Sequence, residues 1–507
     1  MKPILDESCV YPDWVKRSAF FTLTLVVLYG MFLRVGDQAT RDFWLDEVWR
    51  VTNIVEHASY KEIPDPIHYS EFLMGKLGLK FFGRTELAFR IWPLLSSLAA
   101  VIVFASLAWS VFSPPIAILI AFTFAFNFGA IANAHEFKLY SFEGCIFLAS
   151  LVVAYAVERG KLAWQWLMAW LSLVAAGALN LFPFLCFLIP WLMVQQYRAG
   201  KSWRTVVVAA LVPAGLFLLF YLPYSKLLIA HGETGFWKSY YLTSSENILT
   251  ARTVSIPSVM WWYVFSWYDF RQLSPLVSLY LLLCALVVGP ILLWKKSPVF
   301  ALMVILPAVT MMVLSSLGLY PFMTRVSSFY YPMILFGLAS VLQRGYEIFE
   351  QKHKWIPPLS VAFATMVVGA GITLYGRGGN PGRMQHIQES RALLLSLEKL
   401  GTEGDILFHN DVAARMIKYY GLANSDRFTQ REVLTPRVPS KEFLREQITF
   451  MQKSAHAHRI WIFVVHRDQG YPLLLELLQE GDVSLFHNER RSGSFLVGIR
   501  NSVNSTS

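Results

Sequence analysis

The apolar residues of this 507-residue chain are gathered into long runs. Most runs have about 17–22 residues, the length of helix that crosses a hydrocarbon core about 30 Å thick. Only 15% of the residues are charged, against roughly 25% in an average soluble domain. We therefore predict a polytopic α-helical membrane protein with about 11 transmembrane helices. The runs lie near residues 18–35, 91–112, 115–133, 141–157, 164–181, 183–197, 205–224, 274–294, 298–318, 328–343 and 356–376.

The charge of the short loops predicts the orientation, because Lys and Arg concentrate on the cytoplasmic side. A cytoplasmic N-terminus puts most of the basic loops on that side, and it places the long segments 36–90 and 225–273 outside. The tail, 377–507, then also lies outside. These loops account for the net charge of +10, so nucleic-acid binding is not needed to explain it. No small-residue cleavage site follows the first run, which we interpret as a retained anchor.

The tail differs in pattern from the rest of the chain. After a Gly- and Arg-rich hinge near 376–382, short apolar strands alternate with amphipathic helices, which predicts a small C-terminal α/β soluble domain. The domains are therefore predicted as 1–376, which spans the membrane, and 377–507. Within the tail we predict strands at 405–408, 459–465 and 495–499, and helices at 390–400, 412–420 and 473–479.

Two adjacent carboxylates, Asp46 and Glu47, follow the first run among aromatic residues. Charges crowded beside a membrane are costly, which makes them candidates for function. One interpretation is a catalytic base with Arg50 close to it. The other is that both acids lie in the first turn of an interfacial helix beginning near Leu45, where they stabilise its N-terminus. The residues alone leave both interpretations open.

Two further outer loops carry cations. Lys138 follows Glu136 in the turn before the fourth run, and Arg325 lies between the ninth and tenth runs. Either cation is suited to bind a phosphate. Alternatively, Lys138 pairs with Glu136 and extends to the interface, and Arg325 anchors its loop there. A base and cations on one face suit transfer from a lipid-linked phosphate donor to a hydroxyl acceptor.

Several histidines lie in the predicted outer segments, where Glu47 or Glu136 could join them around a divalent cation. No compact metal-ligand spacing is present. The sequence therefore predicts no certain cofactor and leaves a divalent metal open. The histidines are His57, His68, His135 and His231.

Four motifs follow one another in a fixed order: FWLDEVWR at 43–50, PIHY at 66–69, GRTELAFR at 83–90 and EFKLYS at 136–141. Together with the single span before them, they resemble the GT-C class of membrane glycosyltransferases. The resemblance is to the branch that contains protein O-mannosyltransferases and the aminoarabinose transferase of lipid A. It covers about residues 15–345 and, more loosely, the tail.

This resemblance implies inverting transfer of a sugar from a polyprenyl-phosphate donor to a lipid, glycan or protein hydroxyl. It implies a bacterial inner (plasma) membrane and a reaction on its non-cytoplasmic face. The catalytic aspartate of the family falls on Asp46, with Glu47 beside it. Donor-phosphate cations are then expected at Arg50, Lys138 and Arg325, and other cavity residues at Glu136, His68 and Tyr140.

Two other classes of protein remain as alternatives. A transporter would carry charges in mid-span, inverted repeats and broken helices at matching positions, and the sequence shows none of these. A non-catalytic scaffold for cell-envelope polysaccharide assembly has no such sequence requirement, and only the acid at position 46 argues against it.

Overall fold

The computed structural model describes most of the chain, with gaps between the described ranges. The described residues are 12–35, 42–43, 45–177, 179–200, 202–230, 280–317, 319–320, 328–352, 390–420, 428–432, 442, 445–447, 449–450, 459–465, 471–480, 483–491 and 494–501.

The chain divides into two compact units. The helical unit comprises Met1–Gln38, Ile63–Gly83 and Leu87–Gly382, and the sheet unit comprises Ala39–Glu62, Arg84–Glu86 and Arg383–Ser507. The expected domain boundary at 376/377 lies outside the described residues. Most of the sheet unit is the tail. It also contains two pieces of the outer segment 36–90, which the predicted boundaries assign to the membrane domain.

Along the described part of the chain we label seventeen helices in order, of which α2 and α15 to α17 belong to the sheet unit. Their bounds are α1 Asp13–Val35, α2 Leu45–Glu56, α3 Tyr69–Phe82, α4 Glu86–Val111, α5 Pro114–Ala125, α6 Phe128–Ala134, α7 Tyr140–Glu158, α8 Trp164–Ala176, α9 Phe182–Leu185, α10 Leu188–Arg198, α11 Trp203–Ala230, α12 Tyr280–Trp294, α13 Pro298–Ser316, α14 Tyr331–Lys352, α15 Arg391–Leu400, α16 Asp411–Tyr420 and α17 Tyr471–Glu480.

Within the described residues, five helices are long and apolar enough to cross a membrane, namely α1, α4, α7, α11 and α13. Three shorter apolar helices, α5, α8 and α12, accompany them. The expected count of about 11 therefore stays a prediction, and the run at 356–376 lies outside the described residues.

Two of the apolar runs are divided in the structure. The run 115–133 breaks at Asn127, whose side chain accepts a hydrogen bond from Ala130 N at 2.8 Å and so caps α6. Short polar side chains at this position compete with a continuing helix by satisfying its first free N–H groups. Residues 164–197 form the three helices α8, α9 and α10, with Pro183 in the first turn of α9.

Close helix packing in the helical unit depends on small residues. A Cβ added at Gly289 of α12 would lie 2.6 Å from the Gly337 carbonyl oxygen of α14, so the two backbones touch. Ser340 Oγ donates to the Gly289 oxygen at 3.1 Å and to the Gly337 oxygen at 2.7 Å. Small residues of this kind let membrane helices approach closely, and short hydroxyls add hydrogen bonds between them.

One buried cation also joins helices of this unit. Arg34, near the end of α1, donates to the carbonyl oxygens of Gly30 at 2.7 Å and Ala125 at 2.5 Å. Its Nε donates to Ser97 Oγ at 2.8 Å. Ala125 is the last residue of α5, where carbonyls lack helical partners and the helix dipole is negative. The guanidinium therefore caps α5 from a neighbouring helix.

The sheet unit is built on a mixed five-stranded sheet in the order β2-β1-β3-β5-β4. Strand β1 is parallel to β2 and β3, and β5 is antiparallel to β3 and β4. The predicted strands correspond to β1, β3 and β5, while β2 and β4 were missed. Both missed strands are edges. Strand β2 (TQRE) is wholly polar, and the apolar residues of β4 (VSLFHNERR) are confined to its first half, so both carry little apolar signal. The strands are β1 Ile406–His409, β2 Thr429–Glu432, β3 Ile460–Val465, β4 Val483–Arg491 and β5 Ser494–Asn501.

One face of the sheet forms an apolar core with α17. Ile406 and Phe408 of β1 alternate with residues that point the other way, and Ile460 and Ile462 of β3 repeat the spacing. They pack in one cluster with leucines of α17. Successive side chains of a strand point to opposite faces, so this alternation is what buries one face.

A buried carboxylate joins the start of β1 to β3. Asp405 accepts hydrogen bonds from Thr402 N at 2.9 Å, from Arg459 Nη2 at 2.8 Å and from Trp461 Nε1 at 2.8 Å. Burial on its own raises the pKa of Asp405, but these donors outweigh it and hold the pKa below the ordinary value. The ionised form of Asp405 therefore stabilises the sheet unit.

Candidate functional site

The acidic pair lies in the first turn of α2, as the helix interpretation predicts. Asp46 is half-buried, whereas the Glu47 side chain is fully buried. Arg50, one turn later, donates from Nη1 to the Asp46 carbonyl oxygen at 2.9 Å. This position suits both stabilisation of the helix N-terminus and presentation of one acid at a partly open surface.

Helix α2 packs against α16 of the tail. The Arg415 guanidinium lies 4.4 Å from the centre of the Trp49 ring, a cation–π contact. Lys418 forms an ion pair with Glu56 at the other end of α2. The acid-bearing helix is thus held by residues more than 350 positions away along the chain, such as Lys418 opposite Glu56. No local sequence pattern signals that pairing.

The residues just before α2 make a second contact with α16. The Phe43 ring packs edge-on against Tyr419 with centres 5.1 Å apart, and Phe43 N donates to Tyr420 Oη at 3.0 Å. Both segments belong to the sheet unit. The first motif of the sequence is therefore folded into the same compact unit as the tail.

Charged residues next to this contact join the start of α4 to α15. Arg391 pairs with Glu86 at 3.1 Å, and Arg391 N donates to Asp42 Oδ2 at 2.7 Å. Burial raises the pKa of Asp42, and the negative charge of Glu86 adds to the rise. The backbone donor at Arg391 opposes it only in part. Asp42 is therefore a carboxylate whose charge the fold disfavours.

A separate polar cluster lies in the helical unit. The His68 ring stacks on Tyr224 with centres 3.9 Å apart, and its Nε2 is 3.1 Å from Asn180 Nδ2. His68 N donates to Glu71 Oε2 at 3.2 Å, while Asn180 N donates to Glu143 Oε1 at 3.0 Å. Both carboxylates are buried. His68 is among the residues predicted from the sequence, whereas Glu71 and Glu143 are not. Glu143 is a single acid in an apolar helix and has no distinguishing local pattern.

The turn before α7 is buried in the helical unit. His135, Glu136 and Lys138 are at most 6% exposed. The Lys138 ammonium lies 5.5 Å from the centre of the Tyr140 ring, and Lys138 N donates to the Glu136 carbonyl oxygen at 2.8 Å. In a site of low dielectric, a lysine Nζ over an aromatic ring interacts strongly with the ring and with any anion that binds beside it.

The proposed site residues thus fall in both units. Asp46, Glu47 and Arg50 belong to the sheet unit, whereas His68, Glu136, Lys138 and Tyr140 belong to the helical unit. Arg325 lies outside the described residues, as does His231. Among the residues that the structure describes, no group of three or more His, Cys, Asp or Glu side chains is placed to hold a metal ion.

Solved structures match almost the whole chain in fold. One is ArnT from Cupriavidus metallidurans bound to undecaprenyl phosphate, with a TM-score of 0.54, 11% sequence identity, and coverage of 96% of this chain and 98% of that chain. Another is ArnT from the same organism in the apo state, with a TM-score of 0.53, 13% identity, and coverage of 94% and 97%. No protein-family model and no curated protein matches the sequence.

At these identities the likeness is one of fold. The GT-C fold that the sequence resemblance implies is confirmed, and it extends through the tail as well as the helices. With its apolar helices and this architecture, the chain is an integral membrane protein with a small C-terminal sheet domain.

Proposed function

We propose that this protein is an inverting glycosyltransferase that moves a sugar from a polyprenyl-phosphate donor to a hydroxyl acceptor on the non-cytoplasmic membrane face. The observation that carries the proposal is the fold shared with ArnT over both chains nearly end to end, including a structure bound to undecaprenyl phosphate. A fold alone supports many activities. The residue chemistry below supplies the more specific argument.

Asp46 is the residue that we assign as general base. It lies at a helix start and its side chain is partly accessible, whereas neighbouring Glu47 is fully buried. The Asp46 carboxylate takes the proton of the acceptor hydroxyl as the hydroxyl oxygen bonds to the anomeric carbon. The bond from that carbon to the phosphate oxygen breaks, and the polyprenyl phosphate leaves with the bonding electrons. Attack from the face opposite the leaving group inverts the anomeric centre.

Negative charge on the departing phosphate needs cations in a site that excludes water. We assign this role to Lys138, whose ammonium is buried beside Tyr140. Arg50 and Arg325 are the other proposed cations. Arg50 is one helical turn from Asp46 and already donates to its carbonyl oxygen, so guanidinium and carboxylate belong to the same rigid helix. The acceptor remains a lipid, glycan or protein hydroxyl in this proposal.

The test is transfer of radiolabelled sugar from a polyprenyl-phosphate donor in membranes that contain the full chain. Asp46→Asn should lower the rate by at least about 100-fold, since general-base catalysis contributes roughly 10²–10⁴. Glu56→Gln is the matched control, because it changes an acid at the other end of the same helix. The control should retain transfer within about twofold.

Two results would contradict the proposal in different ways. Full transfer by Asp46→Asn at equal protein amount would exclude Asp46 as the base. Absence of transfer by the unmodified protein, combined with movement of the lipid carrier across vesicles, would support a transporter instead. If neither activity were found, the scaffold interpretation would replace the enzymatic one.

A further inference from the structure

A pocket of about 250 Å³ lies within the sheet unit, where the segment before α4 meets α15 and α16. Its volume is just below the roughly 300–1,000 Å³ of pockets for drug-sized ligands, so it suits a small ring. The pocket is lined by charged, aromatic and aliphatic side chains together, including Arg84, Glu86, Arg391, Leu395, Glu398 and Tyr420.

Arg84 brings hydrogen-bond donors to this pocket. Its Nη2 donates to the Lys418 carbonyl oxygen at 2.7 Å, and its guanidinium lies 5.1 Å from the centre of the Tyr419 ring. In the described part of the chain, no carboxylate is within ion-pair distance of Arg84. A guanidinium carries five N–H donors in a planar fork. One contact to a carbonyl holds that fork in place and leaves most of its donors for a ligand.

Acceptors complete the lining. Glu86 is only 8% exposed and pairs with Arg391, which itself lies over the Tyr420 ring at 5.8 Å. Glu398 lines the pocket from α15 with an exposed side chain. Two arginines and two glutamates make the formal charge of these four lining residues zero. A free phosphate would therefore meet repulsion as well as attraction, which disfavours a purely anionic ligand.

The combination matches one class of ligand. Adjacent sugar hydroxyls both donate and accept hydrogen bonds, so planar guanidinium and carboxylate groups in one pocket satisfy them in pairs. The C–H face of a sugar ring is apolar and can be covered by aromatic and leucine side chains such as Tyr420 and Leu395. A mixed lining of a few polar groups on an apolar wall is the usual way in which a pocket fixes orientation.

We propose that this pocket binds one sugar ring of the acceptor, apart from the residues that carry out transfer. The identification of the ligand as the acceptor rests on the proposed function, whereas binding of a sugar to the pocket can be measured without transfer. Two of the lining residues, Arg84 and Glu86, lie at the start of the apolar helix α4.

Binding is tested first, on the full chain in lipid nanodiscs. Saturation-transfer NMR with methyl glycosides of glucose, galactose, mannose and N-acetylglucosamine should show transfer to ring protons of at least one probe. Arg84→Gln and Glu398→Gln should each weaken that binding about tenfold, the effect of losing one hydrogen bond to a charged group. Arg490→Gln is the matched control, because Arg490 makes the same kind of contact over Tyr471 at 5.1 Å outside the pocket.

Equal binding by Arg84→Gln, Glu398→Gln and Arg490→Gln would overturn the inference, and so would binding of inorganic phosphate in place of every glycoside. Asp46→Asn separates this inference from the proposed function, since it should abolish transfer and keep sugar binding. Transfer kept by Asp46→Asn would exclude only Asp46 as the base. Absence of transfer by the unmodified protein, with sugar binding retained, would overturn the proposed function while sugar binding by the pocket stood.

A kinetic arm then tests the acceptor assignment. With cell-envelope extract as acceptor, Arg84→Gln should raise the acceptor KM about tenfold and leave kcat and the donor KM unchanged. A fall in kcat with an unchanged acceptor KM would overturn the assignment to the acceptor.

Discussion

The helical unit and the sheet unit are each stabilised by a different kind of internal contact. In the helical unit, helices touch through glycine and serine, and the buried guanidinium of Arg34 donates to backbone carbonyls and a hydroxyl. In the sheet unit, ion pairs and cation–π contacts join distant segments, for example Arg415 with Trp49 and Arg391 with Glu86. The difference follows composition, because the helical unit contains the apolar helices, whereas the contacting segments of the sheet unit carry charged side chains.

Lipid offers no hydrophobic gain for bringing two apolar helices together, so shape and hydrogen bonding decide their packing. Exposed charges are screened by water and salt and cost little, so segments rich in charged residues can use many weak pairs. The comparison therefore predicts different responses. Steric substitutions should dominate in the helical unit, whereas pH and salt should act mainly on the sheet unit.

The largest effect is expected at Gly78 of α3. A Cβ at this position would lie 1.6 Å from the Ala88 carbonyl oxygen of α4, and a backbone atom cannot move aside cheaply. Gly78→Ala should therefore destabilise the helical unit by about 3 kcal/mol or more. Thermal unfolding of the detergent-solubilised protein, followed by size-exclusion chromatography, measures the loss.

The matched control is Gly215→Ala in α11, where an added Cβ meets nothing within 4 Å. That change should be neutral or raise stability by up to about 1 kcal/mol through helix propensity. Equal unfolding temperatures for Gly78→Ala and Gly215→Ala would show that the close approach of α3 and α4 is not needed.

An intermediate effect is expected at Asp405 of the sheet unit. Asp405→Asn removes a charged acceptor of donors on three residues and should cost about 2–3 kcal/mol at neutral pH. The pKa of Asp405 is lowered by folding, so its contribution is present above the ordinary value of 3.8 and is lost as the pH falls through the folded pKa. The difference between variant and parent should therefore shrink below about pH 4.

Asp42→Asn should show the opposite dependence of stability on pH. Folding raises the pKa of Asp42, so its favourable contribution exists below the ordinary value of 3.8 and is lost as the pH rises through the folded pKa. An asparagine can still accept from Arg391 N, so this variant should be neutral or slightly stabilised at pH 7. Hydrogen exchange in peptides of the sheet unit measures the stability of both variants. Equal losses of stability in Asp405→Asn and Asp42→Asn at pH 7 would contradict the assigned pKa directions.

The smallest effect is expected for the ion pair of Lys418 with Glu56. Their side chains are 62% and 30% exposed, so water and salt screen the attraction. Lys418→Gln should cost about 0.5 kcal/mol at low salt and less at 0.5 M salt. Urea titrations at two salt concentrations test this value. A cost that does not change with salt would mean that Lys418 acts through packing.

Part of the candidate site could be predicted from local pattern, and part could not. Asp46 and Lys138 are visible because a charge near an apolar run is unusual in sequence. Glu143 is not, since one acid in an apolar helix looks the same whether it faces lipid or Asn180. Arg415 and Tyr419 could not be predicted from local pattern either, because their partners Trp49 and Phe43 lie near the other end of the chain.

The sequence by itself determined the class of fold: apolar runs of membrane-spanning length leave few alternatives, and an apolar strand such as 460–465 identifies the centre of a sheet. These are short-range properties, set by hydropathy and periodicity. The tertiary structure alone decided that the helix with Asp46 packs with the tail, and that Arg84, Arg391 and Glu398 share one pocket. Contacts between segments hundreds of residues apart depend on how their surfaces fit together, and local sequence patterns do not predict that fit.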